Sequence, residues 1–504
     1  MANDFGINIF FDPTQVIGTR EAKSAYTCAA GRAPMANATG TRAKPGRFVR
    51  CNSLQEFKNK FGWSEDFLTW ELCGVAYVFF AIYGVKTVAF NSAVDLETHI
   101  APHEGNVFIT QRFGRPGTTV LPDFGVLPET VQIRLTDASG APAGEKLVLG
   151  DDYTLGINDA GYSFVRPVMG GAIFPLNPTE AQAAVHASYD CADPSAVTNT
   201  NIANALQAVR DVYPVLHEVP QLLITPGWSR SALVSDALVG ASSNINGIFN
   251  ANSIADIDSR VVRNEAGEID LALSGATTYE AAAEFKDKNG QNDPTQKPCW
   301  ACRRLDESHI VHYSTVLAAL IADMEVNIGA PAQTESNQAL PGMGICLEDG
   351  TDIALGKDEA DWLRGYGITT GFFWDGLDRA WGAYSGMYPG STDPAESFWT
   401  VNRWLRWYGN ALALTWFQKV DQNITRRLTD HIVATENDRL RQFNANGWCP
   451  AGEIYFPPEL NSDAQLANGH VVFKVKPSAY LPAQRIDFRI ELDLQPFFDE
   501  LKGG

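Results

Sequence analysis

The sequence predicts a mixed α/β chain of several domains that closes on an α+β block. Three observations predict this. Helical and short apolar strand patterns alternate over residues 53–91 and again over 200–326. Between them, 101–193 shows strand patterns and turn signals without a helical period. The last quarter, about 371–494, carries a Trp-rich helix, a second amphipathic helix and three strand patterns. Alternating strands and helices argue for layers on a partly parallel sheet, and short strands alone argue for a separate β unit.

Composition sets the outer bounds. At 504 residues the chain exceeds one ordinary core, so about two to four domains are expected. With 45% hydrophobic and 19% charged residues it is globular. A net charge of −20 argues against nucleic acid as the main partner, because phosphate binding needs a basic footprint. No stretch approaches the roughly 20 apolar residues of a membrane span, and the first residues lack a signal-peptide pattern. The eight cysteines form no framework of close pairs. Reduced thiols in a cytoplasm are expected.

In order, FGINIFF (5–11) places Phe5, Ile7, Ile9 and Phe11 on one face of a strand. Residues 20–50 have a loop composition. Ser53 and Glu56 then form a possible capping box that opens a helix ended by Gly62. A helix about 66–83, apolar nearly all round, precedes a buried strand at 85–91. After the β unit come helices near 200–211, 230–241 and 278–287 and strands 221–227, 244–250 and 298–304. An apolar helix, 308–326, and a short one near 358–364 follow. Strands at 366–374 and around Ala380 to Tyr384 flank a turn at Asp375-Gly376. Helices 396–417 (with Trp399, Trp404, Trp407 and Trp416) and 423–444 lead to strands near 452–457, 470–476 and 485–493. The last alternates strictly, with Ile486, Phe488, Ile490 and Leu492 facing away from Arg485, Asp487, Arg489, Glu491 and Asp493.

Catalytic signatures are weak. Gly227-Trp228-Ser229-Arg230-Ser231 begins like a nucleophile elbow but ends in Ser where the strained turn wants Gly. A strand-to-helix loop with a Ser cap explains it better. Cys299, Cys302, His309 and His312 could ligate zinc, yet no second CxxC exists; two buried thiols on a strand and two histidines on the next helix are the simpler expectation. Phosphate-loop, HExxH and dinucleotide motifs are missing. The chain is expected to be no enzyme, with no cofactor and no metal.

FFWDGLDRAWGAY (372–384) with Trp381-Gly382, the Asn402-Arg403-Trp404-Leu405 helix, and the run from Glu453 to Asp493 resemble the C-terminal domain of contractile tail sheath proteins of myophage tails and R-type bacteriocin-like particles. Looser likeness extends over 45–230. Where many sheaths continue the Trp-Gly turn with Arg-Thr, this chain has Ala383-Tyr384-Ser385, and 494–504 extend past the closing strand. The resemblance implies a structural subunit with an N-terminal strand arm (1–20), an α/β trunk (21–100 plus 194–370) and an inserted peripheral β-rich domain (101–193). A C-terminal domain facing an inner tube (371–481) and a C-terminal strand arm (482–504) complete it. It also implies a homo-oligomer of stacked hexameric rings around an inner tail tube, with baseplate and tail terminator proteins as further partners and no membrane insertion. Contraction of such a sheath drives the tube through an envelope. The subunit would be made in a host bacterial cytoplasm and built into a virion tail or tail-like particle. Both strand arms would pair with neighbouring chains. Docking of each arm on its own domain, and a strand-exchanging capsid-type shell or an α/β hydrolase-like enzyme, are the alternatives.

One surface question stays open. Between Trp399 and Gly447 seven Lys/Arg stand against four acids, a basic enclave in an acidic chain. In the family a helix of this domain touches the tube, which makes Arg426, Arg427, Arg439 and Arg441 on helix 423–444 candidate tube contacts. Ordinary pairing within the helix, Arg426 with Asp430 and Arg441 with Asp438, is the other reading.

Overall fold

The computed structural model describes residues 19–21, 23–109, 111–112, 115–158, 160–177 and 182–503. The expected strand carrying Phe5, Ile7, Ile9 and Phe11 lies outside the described residues.

A mixed α/β architecture is present. Its central sheet runs in the order Gln296–Cys299, Asn252–Asp256, Leu222–Ile224, Thr27–Gly31, Val88–Ser92, Val49–Cys51. All neighbours pair in parallel except the last, where Val49–Cys51 is antiparallel. Nearly every residue of these strands is buried, as continuous apolar runs in a parallel sheet require. The helix Leu54–Phe61 has the expected ends: Ser53 accepts from the Glu56 amide, and Gly62 closes it at φ 79°. The Glu56 carboxylate caps the Asn52 amide, so the reciprocal bond falls one residue early.

Residues 100–192 carry two larger sheets and a two-stranded pair, Gln111–Arg112 with Arg115–Pro116. Ile100–Phe108, Ala184–Ala192, Gln132–Thr136 and Pro142–Ala143 form one. Tyr153–Ile157, Tyr162–Pro167 and Thr119–Phe124 form the other. The long strands pair in register from Ile100↔Ala192 to Phe108↔Ala184. Their apolar cluster, including Val107, Leu121, Ile133, Val165 and Tyr189, draws on residues 107–191 alone.

Several elements depart from the sequence expectation. The 66–83 helix starts only at Glu71, because Ser64 and Asp66 side chains hold the preceding turn, and it passes into a π-helical stretch at Tyr77–Ile82. The expected strand 244–250 is a turn: Asn244, Asn246 and Gly247 have φ of 53°, 51° and 76°, which no strand accommodates. The strand instead occupies Asn252–Asp256. The expected strand 298–304 is two, broken at Trp300–Ala301. Gln296–Cys299 stays in the central sheet, whereas Cys302–Arg304 pairs with Ile310–His312 and Gly344–Cys346. The apolar helix therefore begins at Tyr313, and His309 and His312 precede it.

In the C-terminal block Asp375 and Gly376 both take positive φ, 52° and 77°. That two-residue turn returns the chain at once, so the second strand is Leu377–Trp381, earlier than expected. Trp399–Trp416 and Arg426–Ala445 form the two long helices. Gly452–Tyr455 pairs antiparallel with Lys474–Pro477. Trp399, Trp404, Trp407, Leu440 and Phe443 join the same apolar cluster as the central sheet, so trunk and C-terminal block share one core.

Candidate functional site

The Trp399–Trp416 helix is anchored by polar side chains to the N-terminal ends of central-sheet strands. Asn402 accepts from Asn252 at 2.9 Å, Asn410 donates to the Asn250 carbonyl at 2.7 Å, and the Trp399 indole donates to the Thr295 carbonyl. Arg403 donates to Glu325 on the Tyr313–Ile328 helix and to the carbonyls of Gln221 and Ser24. Burial pushes the Glu325 carboxyl up to about 7 against the opposing pull of Arg403. The sequence shows Arg403 but not its partner; the one available signal is two acids, Asp323 and Glu325, in a largely apolar helix, and their burial differs only in the structure. At the Trp-Gly turn, the Trp381 indole donates to Asp361 at 2.8 Å. Gly382 sits at φ 153°, and a Cβ there would lie 2.5 Å from the Thr369 hydroxyl. Asn402, Arg403, Trp381 and Gly382 thus hold the block together rather than face outward.

The four arginines expected at an inner tube separate in the structure. Arg439 is not on the surface: its side chain is 0% exposed, 3.2 Å from an equally buried Glu436, and it donates to the Thr415 hydroxyl at 2.6 Å. Tyr408 and Trp416 bond the same carboxylate from the preceding helix. Burial raises the Glu436 carboxyl, with Arg439 opposing. Arg426 is 94% exposed and 3.6 Å from Asp430. Arg427 is exposed with no ion-pair partner among the described residues, and Arg441 pairs with Asp438 at the surface. The pairs within the helix form, and they leave Arg426, Arg427 and Arg441 facing solvent.

The C-terminal segment is extended and unpaired. Residues 485–493 have no ladder partner among the described residues. Ile486, Phe488, Ile490 and Leu492 are 71%, 85%, 96% and 79% exposed. Preceding the segment in sequence is the two-stranded sheet Gly452–Tyr455/Lys474–Pro477, with free edges among the described residues. Unpaired strands and open edges are templates for pairing between chains. At the other end of the described residues, Arg20 exchanges hydrogen bonds with Thr415 on the Trp399–Trp416 helix through its amide and carbonyl.

The residues resembling a catalytic site are spent structurally. Ser229 is fully buried and its Oγ accepts from the Asp256 amide at 2.7 Å. Asp256 in turn accepts from Gly227 and Ser314. Cys299 contacts Asp256 and the Ala255 carbonyl, whereas Cys302 meets Ser259 and His312, so the two thiols face different partners. Burial drives both thiols well above their ordinary range. No group of His, Cys, Asp and Glu among the described residues is arranged to hold a metal ion. No described helix is long and apolar enough to cross a membrane.

The structure thus sets a buried polar scaffold beneath the C-terminal block and leaves the alternating apolar face of 485–493 exposed. No family model matches the chain. The tail sheath protein of Burkholderia phage BcepMu is 25% identical over 390 residues, 72% of this chain and 76% of the relative. A chain of the contracted baseplate of the anti-feeding prophage (AFP) superposes with a TM-score of 0.56 at 12% identity, covering 97% of this chain and 99% of the other. A chain of the AFP helical sheath in its contracted state gives 0.54 at 12%, covering 98% and 100%. The resemblance to contractile tail sheath proteins thus holds in sequence through the phage relative and in fold through the AFP chains.

Proposed function

We propose that this protein is the polymerising, non-enzymatic subunit of a contractile tail sheath. Copies stack as hexameric rings around an inner tube, and contraction drives that tube through a cell envelope. The observation that carries this reading is the 485–493 segment, whose apolar face is 71–96% exposed and which has no ladder partner among the described residues. Backbone pairing with a neighbour would bury that face, and pairing of this kind tolerates rotation between subunits. The phage relative's name and the AFP titles, helical sheath and baseplate in a contracted state, support the same assembly. On this reading the particle also contains a baseplate and a tail terminator, and Arg426, Arg427 and Arg441 face the tube.

Deleting 483–504 tests it. The truncated chain should remain folded and soluble, with unchanged circular dichroism, yet form no tubes in negative-stain micrographs. Tubes of normal length from the truncation would remove the segment from assembly.

A further inference from the structure

Beyond 485–493 the chain ends in a helix, Gln495–Leu501, that strand pairing leaves unused. Leu494, Phe497, Phe498 and Leu501 follow the i, i+3, i+4, i+7 spacing of one apolar helical face. They are 47%, 55%, 44% and 69% exposed. Asp499 and Glu500 add negative charge. A seven-residue helix is too short to persist alone in water, so its order depends on a partner surface.

The trunk offers a matching surface. A groove of about 570 Å³ opens between the loop 41–49 and the short helix Val212–Leu216. Phe48, Val212 and Leu216 line its apolar side and Val215 stands 66% exposed. Lys44 and Arg47 stand exposed with no ion-pair partner among the described residues, against one exposed acid of the lining, Asp211. In a chain of net charge −20, an apolar groove with unpaired cations selects an acidic, aromatic segment.

We infer that the C-terminal helix of one copy docks in the 41–49/212–216 groove of a neighbouring copy, Phe497, Phe498 and Leu501 filling it while Asp499 and Glu500 meet Lys44 and Arg47. This rests on the sheath reading and adds a second anchor after the strand. Short amphipathic helices commonly bind such grooves through an apolar stripe of this kind.

Two full-length variants test it, Val215→Cys and Leu501→Cys, each exposed and each alone in its chain. All eight native cysteines are buried and do not compete. Co-assembled and mildly oxidised, the mixed variants should give a covalent dimer that neither gives alone, since a disulfide needs Cα atoms within about 7 Å. Lys44→Glu with Arg47→Glu in the groove chain should reduce that dimer several-fold. Adding Asp499→Lys with Glu500→Lys in the tail chain should restore it. A mixed sample without the dimer, or a dimer indifferent to both charge reversals, overturns the docking, including the outcome in which the groove holds another segment. Micrographs of the wild-type chain judge the sheath reading separately: tubes without the dimer sink the docking alone.

Discussion

Arg403 and Glu325 are held together inside the protein by bonds of 3.0 Å from Nε and 2.6 Å from Nη2, 78 residues apart in sequence. Both side chains are under a tenth exposed. The pair joins the Trp399–Trp416 helix to the Tyr313–Ile328 helix, and Arg403 reaches on to the trunk at Gln221 and Ser24. Removing one member leaves an uncompensated buried charge. Arg403→Ala or Glu325→Ala alone should therefore cost about 3–5 kcal/mol in urea unfolding. Arg403→Met with Glu325→Leu together should recover most of that loss.

Arg439 and Arg426 should behave oppositely. Arg439→Ala abandons a buried Glu436 and should cost about 3–5 kcal/mol, read as a lower denaturation midpoint. Arg426→Glu with Arg427→Glu changes exposed positions and should leave stability within about 0.5 kcal/mol. On the sheath reading the same double variant should weaken co-sedimentation with the inner tube at low salt. Equal sedimentation with wild type would take the tube contact away from this helix.

His312 predicts an acid limb. Burial lowers its imidazole from 6.5 to about 4, with Asp256 and Asp258 opposing the shift and Arg230 and Arg32 adding to it; Glu348 lies 3.7 Å away. Because the native ring resists protonation, the unfolded chain takes up the proton first as pH falls. Its contribution is intact above about pH 6.5 and is lost progressively down to about pH 4, roughly 3 kcal/mol in all. In His312→Gln the difference in unfolding free energy between pH 7 and pH 4 should shrink by about that amount.

Gly382→Ala should destabilise by more than about 1 kcal/mol, because its backbone has φ 153° and its Cβ would strike Thr369. A thermal midpoint equal to wild type would mean the turn relaxes.

The 101–193 unit should be dispensable for assembly. It has an apolar cluster of its own, while its ties to the trunk include Leu127 and Ala192 in the trunk's core, the Arg42–Glu129 pair and a bond from Asn37 to the Gly161 carbonyl. Replacement by a short Gly/Ser linker should preserve tubes. Unfolding of the remaining chain would show that it completes the trunk.

What the sequence disclosed follows from how locally each feature is encoded. Ser53 and Gly62 mark both ends of a helix by their own chemistry, and Asp375-Gly376 announces a hairpin. The stretch 244–250 misleads because Asn adopts positive φ as readily as its apolar neighbours suggest a strand. The Glu436–Arg439 spacing is visible on a helix, but its burial is not. Tyr408, Thr415 and Trp416 cover it from the preceding helix, and only tertiary packing brings them there. Arg403 was legible as part of a motif, its role was not, since Glu325 lies on a distant helix.

The hydrogen bonds between Arg20 and Thr415 have a mechanical meaning. Arg20 is held at the end of the Trp399–Trp416 helix. The C-terminal stretch leaves from the Gly452–Tyr455/Lys474–Pro477 sheet, which the Arg426–Ala445 helix contacts directly. Tension applied at Arg20 and at Pro477 would thus enter one helix pair, stapled by Glu436 and Arg439, and bypass the β-rich sheets of 100–192. Tethers attached at residues 20 and 477 and pulled in an optical trap would load that staple first, leaving the sheets of 100–192 slack.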